Sequence, residues 1–304
     1  MRIGIVGSGA LGLYYGSLLQ KSGEDVHFLM GRDYRAVCSD GLKIFSVNGD
    51  FHLTKVACYR TVEEIGPVDL VIIGLKTFAN QVLADLVRPL LGPETAVLTL
   101  QNGLGNEELL AEAFGSERVL GGVAFLCSNR GEPGTVHHLG EGRIRLGEFA
   151  GGLSDRSRLL AEMFVRAGVP CEAVSDLRRA RWEKLVWNIP FNGLSALLKK
   201  DVTLILAHPE TRELVRQLML ETISGANAQP LEEPIDAEAY SSGMISFTDK
   251  MDHYRPSMMI DRFEGRSLEL EAIYGIPLRQ AAEAGVDMPR IEMLKALLAI
   301  GEPD

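Results

Sequence analysis

The chain has 304 residues, 46% hydrophobic and 24% charged, a soluble globular balance with length enough for two cores rather than one. A formal net charge of -10 argues against an extended surface for nucleic acid or anionic lipid, and leaves room only for a small basic pocket. The four cysteines (Cys38, Cys58, Cys127, Cys171) form no CxxC pair and none of the six histidines has a partner at ligand spacing, so reduced thiols and no metal are expected.

The first element is an apolar run, Ile3 to Val6, ending in Gly7-Ser8-Gly9-Ala10-Leu11-Gly12 and passing into an apolar-periodic segment to Leu19. Strand, tight turn and helix in that order are the context in which such a turn holds a dinucleotide pyrophosphate. Gly7 permits the turn, Gly9 the approach of the phosphates and Gly12 close helix–strand packing. The uncompensated amides at the helix start attract the anion. No leader pattern precedes this turn and no apolar run reaches ~18 residues, so a cytoplasmic protein without membrane contact is expected.

A second strand is expected from Asp25 to Met30. An acid at its end would bind a ribose 2′-hydroxyl, whereas a cation accommodates a 2′-phosphate. Here Met30-Gly31-Arg32 ends the strand and Asp33 follows, so Arg32 favours NADP unless it merely pairs with Asp33 in solvent. Leu42–Val47 and Phe51–Val56 read as a hairpin on an Asn48-Gly49 turn. Leu70–Gly74 is a buried-type strand running into Leu75-Lys76-Thr77, then a helix through Val82, Leu83, Leu86 and Leu90. Ala96–Leu100 is the next strand, ending in Gln101-Asn102-Gly103-Leu104-Gly105, with Asn106 as a helix cap. The alternation predicts a doubly wound parallel sheet with ligands at the strands' C-terminal ends, where Gly7, Arg32, Lys76 and Asn102 all fall.

Further strands are predicted at Val119–Leu126, Gly134–Leu139 and Arg143–Leu146, a helix opening at Ser154, and a short strand at Val169–Val174. From Asp176 the pattern is almost purely helical. The fold class is therefore α/β, an N-terminal Rossmann-type doubly wound parallel sheet (residues 1–175) with a closely packed C-terminal all-α domain (residues 176–304). Those apolar helices would serve a homodimer interface as readily as an internal core.

Lys184, Asn188 and Asn192 recur at i, i+4 and i+8 and share one helix face among Trp182, Leu185, Trp187 and Phe191. Lys184 is a solvated lysine or, in a desolvated cleft, a donor to a carbonyl receiving hydride. Pro190 should kink this helix. Ser257 suits either a substrate carboxylate or an N-cap beside Pro256, and periodicity does not separate Glu269 from Glu271.

These motifs together resemble the ketopantoate reductase (2-dehydropantoate 2-reductase) family over nearly the whole length. The resemblance rests on the glycine turn, Leu75-Lys76, Gln101 to Gly105, Trp182-Glu183-Lys184-Leu185 with Asn188 and Asn192, Ser257 with Glu269, and the ending with Gly285 and Pro289. It implies an NADPH-dependent reductase of a small 2-oxo acid, with the active site in an interdomain cleft. Lys184 would be the general acid. Asn188, Asn192 and Ser257 would contact substrate, Glu269 its hydroxyl or the cofactor ribose, and Asn102 would lie between nicotinamide and substrate. Gly7, Ser8, Gly9, Ala10, Leu11, Gly12, Arg32, Lys76 and the backbone near Cys127 would line NADP. The family's arginine falls at Gly31 here, with the cation displaced to Arg32. Another 2-oxo acid as substrate, or a non-catalytic NADP-binding regulator, are the competing readings.

Overall fold

Alternation of side chains along buried strands organises the first half of the chain. In β1 (Arg2–Val6), Ile3 and Ile5 enter one apolar cluster and Val6 the other. In β6 (Val68–Ile73), Leu70 and Ile72 point to the first cluster, Val71 and Ile73 to the second. A strand buried on both faces must be apolar at nearly every position, which is why these runs are continuous. The structure, a computed structural model, describes residues 1–301. It separates into one unit of residues 1–101 and 106–177 and a second of residues 102–105 and 178–304. The last three residues of the anticipated 176–304 domain lie outside the described range.

In the first unit β1 leads into α1 (Ala10–Lys21), then β2 (Asp25–Leu29), α2 (Tyr34–Asp40), β3 (Leu42–Ser46), β4 (Phe51–Leu53) and β5 (Ala57–Tyr59). After β6 come α3 (Leu83–Val87), β7 (Leu91–Thr99), α4 (Asn106–Phe114), β8 (Val119–Arg130), β9 (Thr135–Glu148), α5 (Asp155–Arg166) and β10 (Cys171–Ala173). The sheet order is β4-β3-β9-β8-β7-β6-β1-β2-β5, with β10 beside β9. From β5 to β8 neighbours are parallel, and the β8–β9 and β3–β4 pairs are antiparallel. Helices α1 and α5 cover one face and α3 and α4 the other, so the sheet is doubly wound.

Several local expectations change. The two strands placed at Gly134–Leu139 and Arg143–Leu146 are one strand, β9, with register shifts against β8 and positive φ at Gly140, Glu141 and Gly142. A bulge keeps the ladder continuous where composition suggested a turn. The helix read through Leu90 is divided into 3-10 turns at Thr77–Val82 and Arg88–Leu90 around the short α3, and Pro89, which supplies no amide donor, lies in the second of them. Cys38 of α2 and Cys58 of β5 form a disulfide, with Cα atoms 6.3 Å apart, against the expectation of reduced cysteines. Separation in sequence misled here, because α2 packs against β5. Ser154 caps α5 by a capping box with Ser157, as its sequence suggests.

The second unit comprises α6 (Leu177–Leu198, whose first residue belongs to the first unit), α7 (Val202–Ala207), α8 (Pro209–Asn227), α9 (Ala237–Thr248), α10 (Ser257–Phe263), a π-helical turn at Glu271–Gly275, α11 (Ile276–Glu283) and α12 (Pro289–Ala299). Residues 181–196 of α6 are all buried, and Trp182, Val186, Ile189 and Phe191 pack with Met219, Ile223, Ile291 and Leu298. A helix buried on every side belongs inside a core, and here its polar residues Lys184, Asn188 and Asn192 share one face. Each such side chain contributes about 1.5–3 kcal/mol on burial, which offsets the proline within it. The boundary drawn at residues 175/176 is not a single cut. Residues 102–105 join the helical unit because Gly103, at φ +79, lets the backbone lie against Ala272, and the Leu104 amide donates to the Ala272 carbonyl at 2.9 Å. No helix among the described residues is long and apolar enough to cross a membrane.

Candidate functional site

The glycine turn between β1 and α1 is built by the protein's own backbone. A Cβ on Gly7, at φ +109, would lie 2.3 Å from the Leu75 nitrogen, and one on Gly12 would lie 2.1 Å from the Gly7 carbonyl oxygen. Gly9 differs: nothing lies within 4 Å of where its Cβ would be. Its backbone is extended and compatible with any residue, so neither strain nor packing among the described residues calls for glycine there. Space above the turn is what the missing side chain preserves. The start of α1 carries no side-chain cap and no acid in its first turn, leaving Ala10 and Leu11 in a positive-dipole end suited to an anion. Ser8 Oγ donates to the Leu29 carbonyl at 2.5 Å and ties the turn to β2.

Arg32 follows β2 with its side chain 67% exposed, whereas Asp33 is 2% exposed. The two are joined by an Arg32 Nε–Asp33 Oδ1 contact of 3.4 Å, so the bland pairing exists but leaves most of the guanidinium exposed. Lys76 stands at the head of the 3-10 turn after β6, half-buried. Cys127 is buried on β8, beyond that strand's pairing with β7. Gln101 Nε2 donates to Asn80 Oδ1 at 2.8 Å and Asn80 Nδ2 to Asn106 Oδ1 at 3.0 Å, fixing the end of β7. Asn106 is the first residue of α4.

In the helical unit a second constellation forms. Lys184 Nζ donates to Asn102 Oδ1 at 2.6 Å, and Asn102 Nδ2 lies 3.5 Å from Glu269 Oε2. Lys184 is 8% exposed and Glu269 5%, so the ammonium and carboxylate are withdrawn from solvent with one amide between them. The structure separates the two candidate acids: Glu271 is exposed and paired with Arg279, while Glu269 is buried beside Asn102. One and two turns along α6, Asn188 and Asn192 are 4% and 2% exposed. Asn188 Nδ2 and Asn192 Oδ1 have no hydrogen-bond partner among the described residues. An unsatisfied buried amide atom costs about 1–3 kcal/mol, so two on one helix face mark a place a polar ligand would satisfy. Ser257 opens α10 but does not cap it; Pro256 holds the cap position. The structure thus gathers Asn102, Lys184 and Glu269 by direct contacts, and keeps Asn188 and Asn192 on the Lys184 face.

Two residues here carried no sequence signal. Tyr274, fully buried, donates from its hydroxyl to the Ile189 carbonyl at 2.9 Å, beside Pro190. Arg130, at the end of β8, makes an ion pair with Asp33. Neither is spaced by any helix or strand period from its partner.

Comparison with known proteins places the chain in a family. A family model described as ketopantoate reductase PanE/ApbA matches residues 3–151, and its C-terminal companion matches residues 176–302. The chain belongs to the ketopantoate reductase family. Within ketopantoate reductases it is 45% identical to the 2-dehydropantoate 2-reductase of a Nostoc species, over 95% of this chain and 92% of that protein. The crystal structure of the 2-dehydropantoate 2-reductase of Geobacter metallireducens is 62% identical, covers 99% of both chains and superposes with a TM-score of 0.97. That from Methylococcus capsulatus is 32% identical, covers 99% of this chain and 96% of its own, with a TM-score of 0.88.

Proposed function

We propose that this protein reduces 2-dehydropantoate to pantoate with NADPH, Lys184 acting as general acid. The observation that carries the reading is the buried Lys184–Asn102–Glu269 group beside two asparagines with unsatisfied amide atoms. The open face of Gly9 fits a dinucleotide pyrophosphate, with Gly7, Ser8, Ala10, Leu11 and Gly12 shaping the turn and Arg32, Lys76 and Cys127 as further lining. Bound NADPH would supply the hydride to the ketone carbon. Lys184 Nζ donates a proton to the ketone oxygen as its negative charge develops, becoming the neutral amine and leaving a secondary alcohol. Asn102, by accepting from Nζ, aims the ammonium and restricts its rotamers. Glu269, linked to Lys184 through the Asn102 amide, offers an acceptor for a substrate hydroxyl. Asn188, Asn192 and Ser257 are assigned to the substrate's carboxylate and hydroxyl groups. In this reading the protein is cytoplasmic and needs no metal or nucleic acid.

The test is the loss of NADPH absorbance with purified protein and 2-dehydropantoate, beside NADH and the Lys184→Ala variant. Turnover that falls by about 10²–10⁴ in the variant is the expected result. Turnover only with a different 2-oxo acid would keep the mechanism and change the substrate. Tight NADPH binding without turnover on any 2-oxo acid would replace the reductase by a binding protein.

A further inference from the structure

The acid that follows β2 is the one a Rossmann site uses to select NADH, about 20 residues beyond the glycine turn. Asp33 has that position, yet its side chain is 2% exposed. Its Oδ2 contacts Nη2 of Arg130, and Oδ1 meets Arg32 Nε at 3.4 Å. The Oδ2 atom takes no hydrogen bond, so its partnership with Arg130 is one of charge. Arg130 reaches it because the turn after β8 packs on α2: a Cβ at Gly134 would lie 3.7 Å from Ala36 Cβ and Val37 Cγ2, and the Gly134 carbonyl accepts from the Lys43 amide at 2.9 Å. A buried carboxylate without a cation is costly, and this one has Arg130 at Oδ2 and Arg32 Nε at Oδ1.

We propose that Arg130 determines nucleotide specificity through Asp33. By neutralising and burying the Asp33 carboxylate, Arg130 withholds the acid that would grip the ribose 2′-hydroxyl of NADH. It also removes a repelling charge from beside Arg32, which receives the 2′-phosphate of NADPH. Arg130 is a positioning residue in this scheme and touches neither ligand. The inference rests on the dinucleotide reading of the Gly7–Gly12 turn given above.

The experiment titrates NADPH and NADH against the full-length protein, the Arg130→Gln and Asp33→Asn variants and the two combined, by nicotinamide fluorescence, with melting temperatures alongside. Arg130→Gln is expected to lower the NADPH-to-NADH affinity ratio about tenfold, since an uncompensated carboxylate then stands near the phosphate. Adding Asp33→Asn should return most of that ratio. A merely structural role for Arg130 would weaken both cofactors alike, and that result, or a combined variant that recovers nothing, overturns the proposal. A wild-type protein that prefers NADH would defeat the NADPH clause of the proposed function. The inference is then still decided, by whether Arg130→Gln moves the ratio further toward NADH and the second substitution reverses it. Should Arg130→Gln fail to fold, Asp33→Asn alone decides: a ratio equal to or above wild type supports the proposal, and a lower one refutes it.

Discussion

Gly9 and Gly12 stand three residues apart in one turn, and the structure gives them different reasons to be glycine. A methyl on Gly12 would overlap the Gly7 carbonyl oxygen at 2.1 Å, backbone against backbone, so the turn itself must open. Gly12→Ala should therefore lower the melting temperature, by overpacking worth about 1–3 kcal/mol, and weaken NADPH together with it. A methyl on Gly9 meets nothing within 4 Å, and its extended backbone suits alanine. Gly9→Ala should leave the melting temperature unchanged or slightly raised, because it restricts the unfolded chain, while NADPH affinity falls about tenfold or more. Calorimetry and a cofactor titration on the two variants check this, and wild-type affinity in Gly9→Ala would remove the pyrophosphate from this turn. The turn was legible in the sequence because strand, glycines and helix are contiguous. The Asp33–Arg130 pair was not, since it joins residues nearly a hundred positions apart by a strand crossing that no local pattern encodes.

Between elements, the helix that carries Lys184 depends on a contact to the π-helical turn at Glu271–Gly275. Pro190 removes one backbone donor from α6, yet the helix runs on through Leu198. Directly before it, the Ile189 carbonyl accepts from the buried Tyr274 hydroxyl, and Gly193 leaves the room: a Cβ there would sit 2.6 Å from that oxygen. Burial pushes the Tyr274 phenol far above its ordinary range, so it remains a donor at any working pH. The same π-turn holds Ala272, whose carbonyl takes the Leu104 amide beside Asn102, and it begins two residues after Glu269. Tyr274→Phe deletes only the hydroxyl. It should cost about 1 kcal/mol in stability and lower kcat about tenfold, with NADPH affinity unchanged because the dinucleotide turn lies in the other unit. A full kcat in Tyr274→Phe would show that α6 holds Asn188 and Asn192 in place without this bond. The i, i+4, i+8 face of α6 could be read from periodicity, and so could the doubly wound sheet. Which of Glu269 and Glu271 turns inward could not, because a π-turn breaks the period just where the choice is made.

Over the whole chain, acidic residues outnumber basic ones, and acidification from pH 7 relieves the net charge of -10 for any variant alike. Comparing one substitution across pH therefore isolates the pair it breaks. His253 Nδ1 and Asp201 Oδ2 lie 2.9 Å apart, and Asp201 also caps α7 by accepting from the Leu204 amide at 2.9 Å. The hydrogen bond and charge of Asp201 raise the His253 pKa above its ordinary 6.5. Partial burial pushes Asp201 upward, but the Leu204 amide and His253 outweigh it and hold the carboxyl below its ordinary value. Because His253 is raised on folding, its contribution is complete below the unfolded value and disappears as pH climbs through the folded one. Because Asp201 is lowered, its contribution is present above the unfolded value and is lost as pH drops through the folded one. The pair therefore stabilises most between roughly pH 4 and pH 6.5. Asp201→Asn retains an oxygen to cap α7 and discards the charge. Its melting temperature should fall short of wild type by about 1 °C at pH 5.5, as suits an exposed pair, and by less at pH 8.5. A deficit that grows with pH would mean that the cap, rather than the ion pair, was what the substitution damaged.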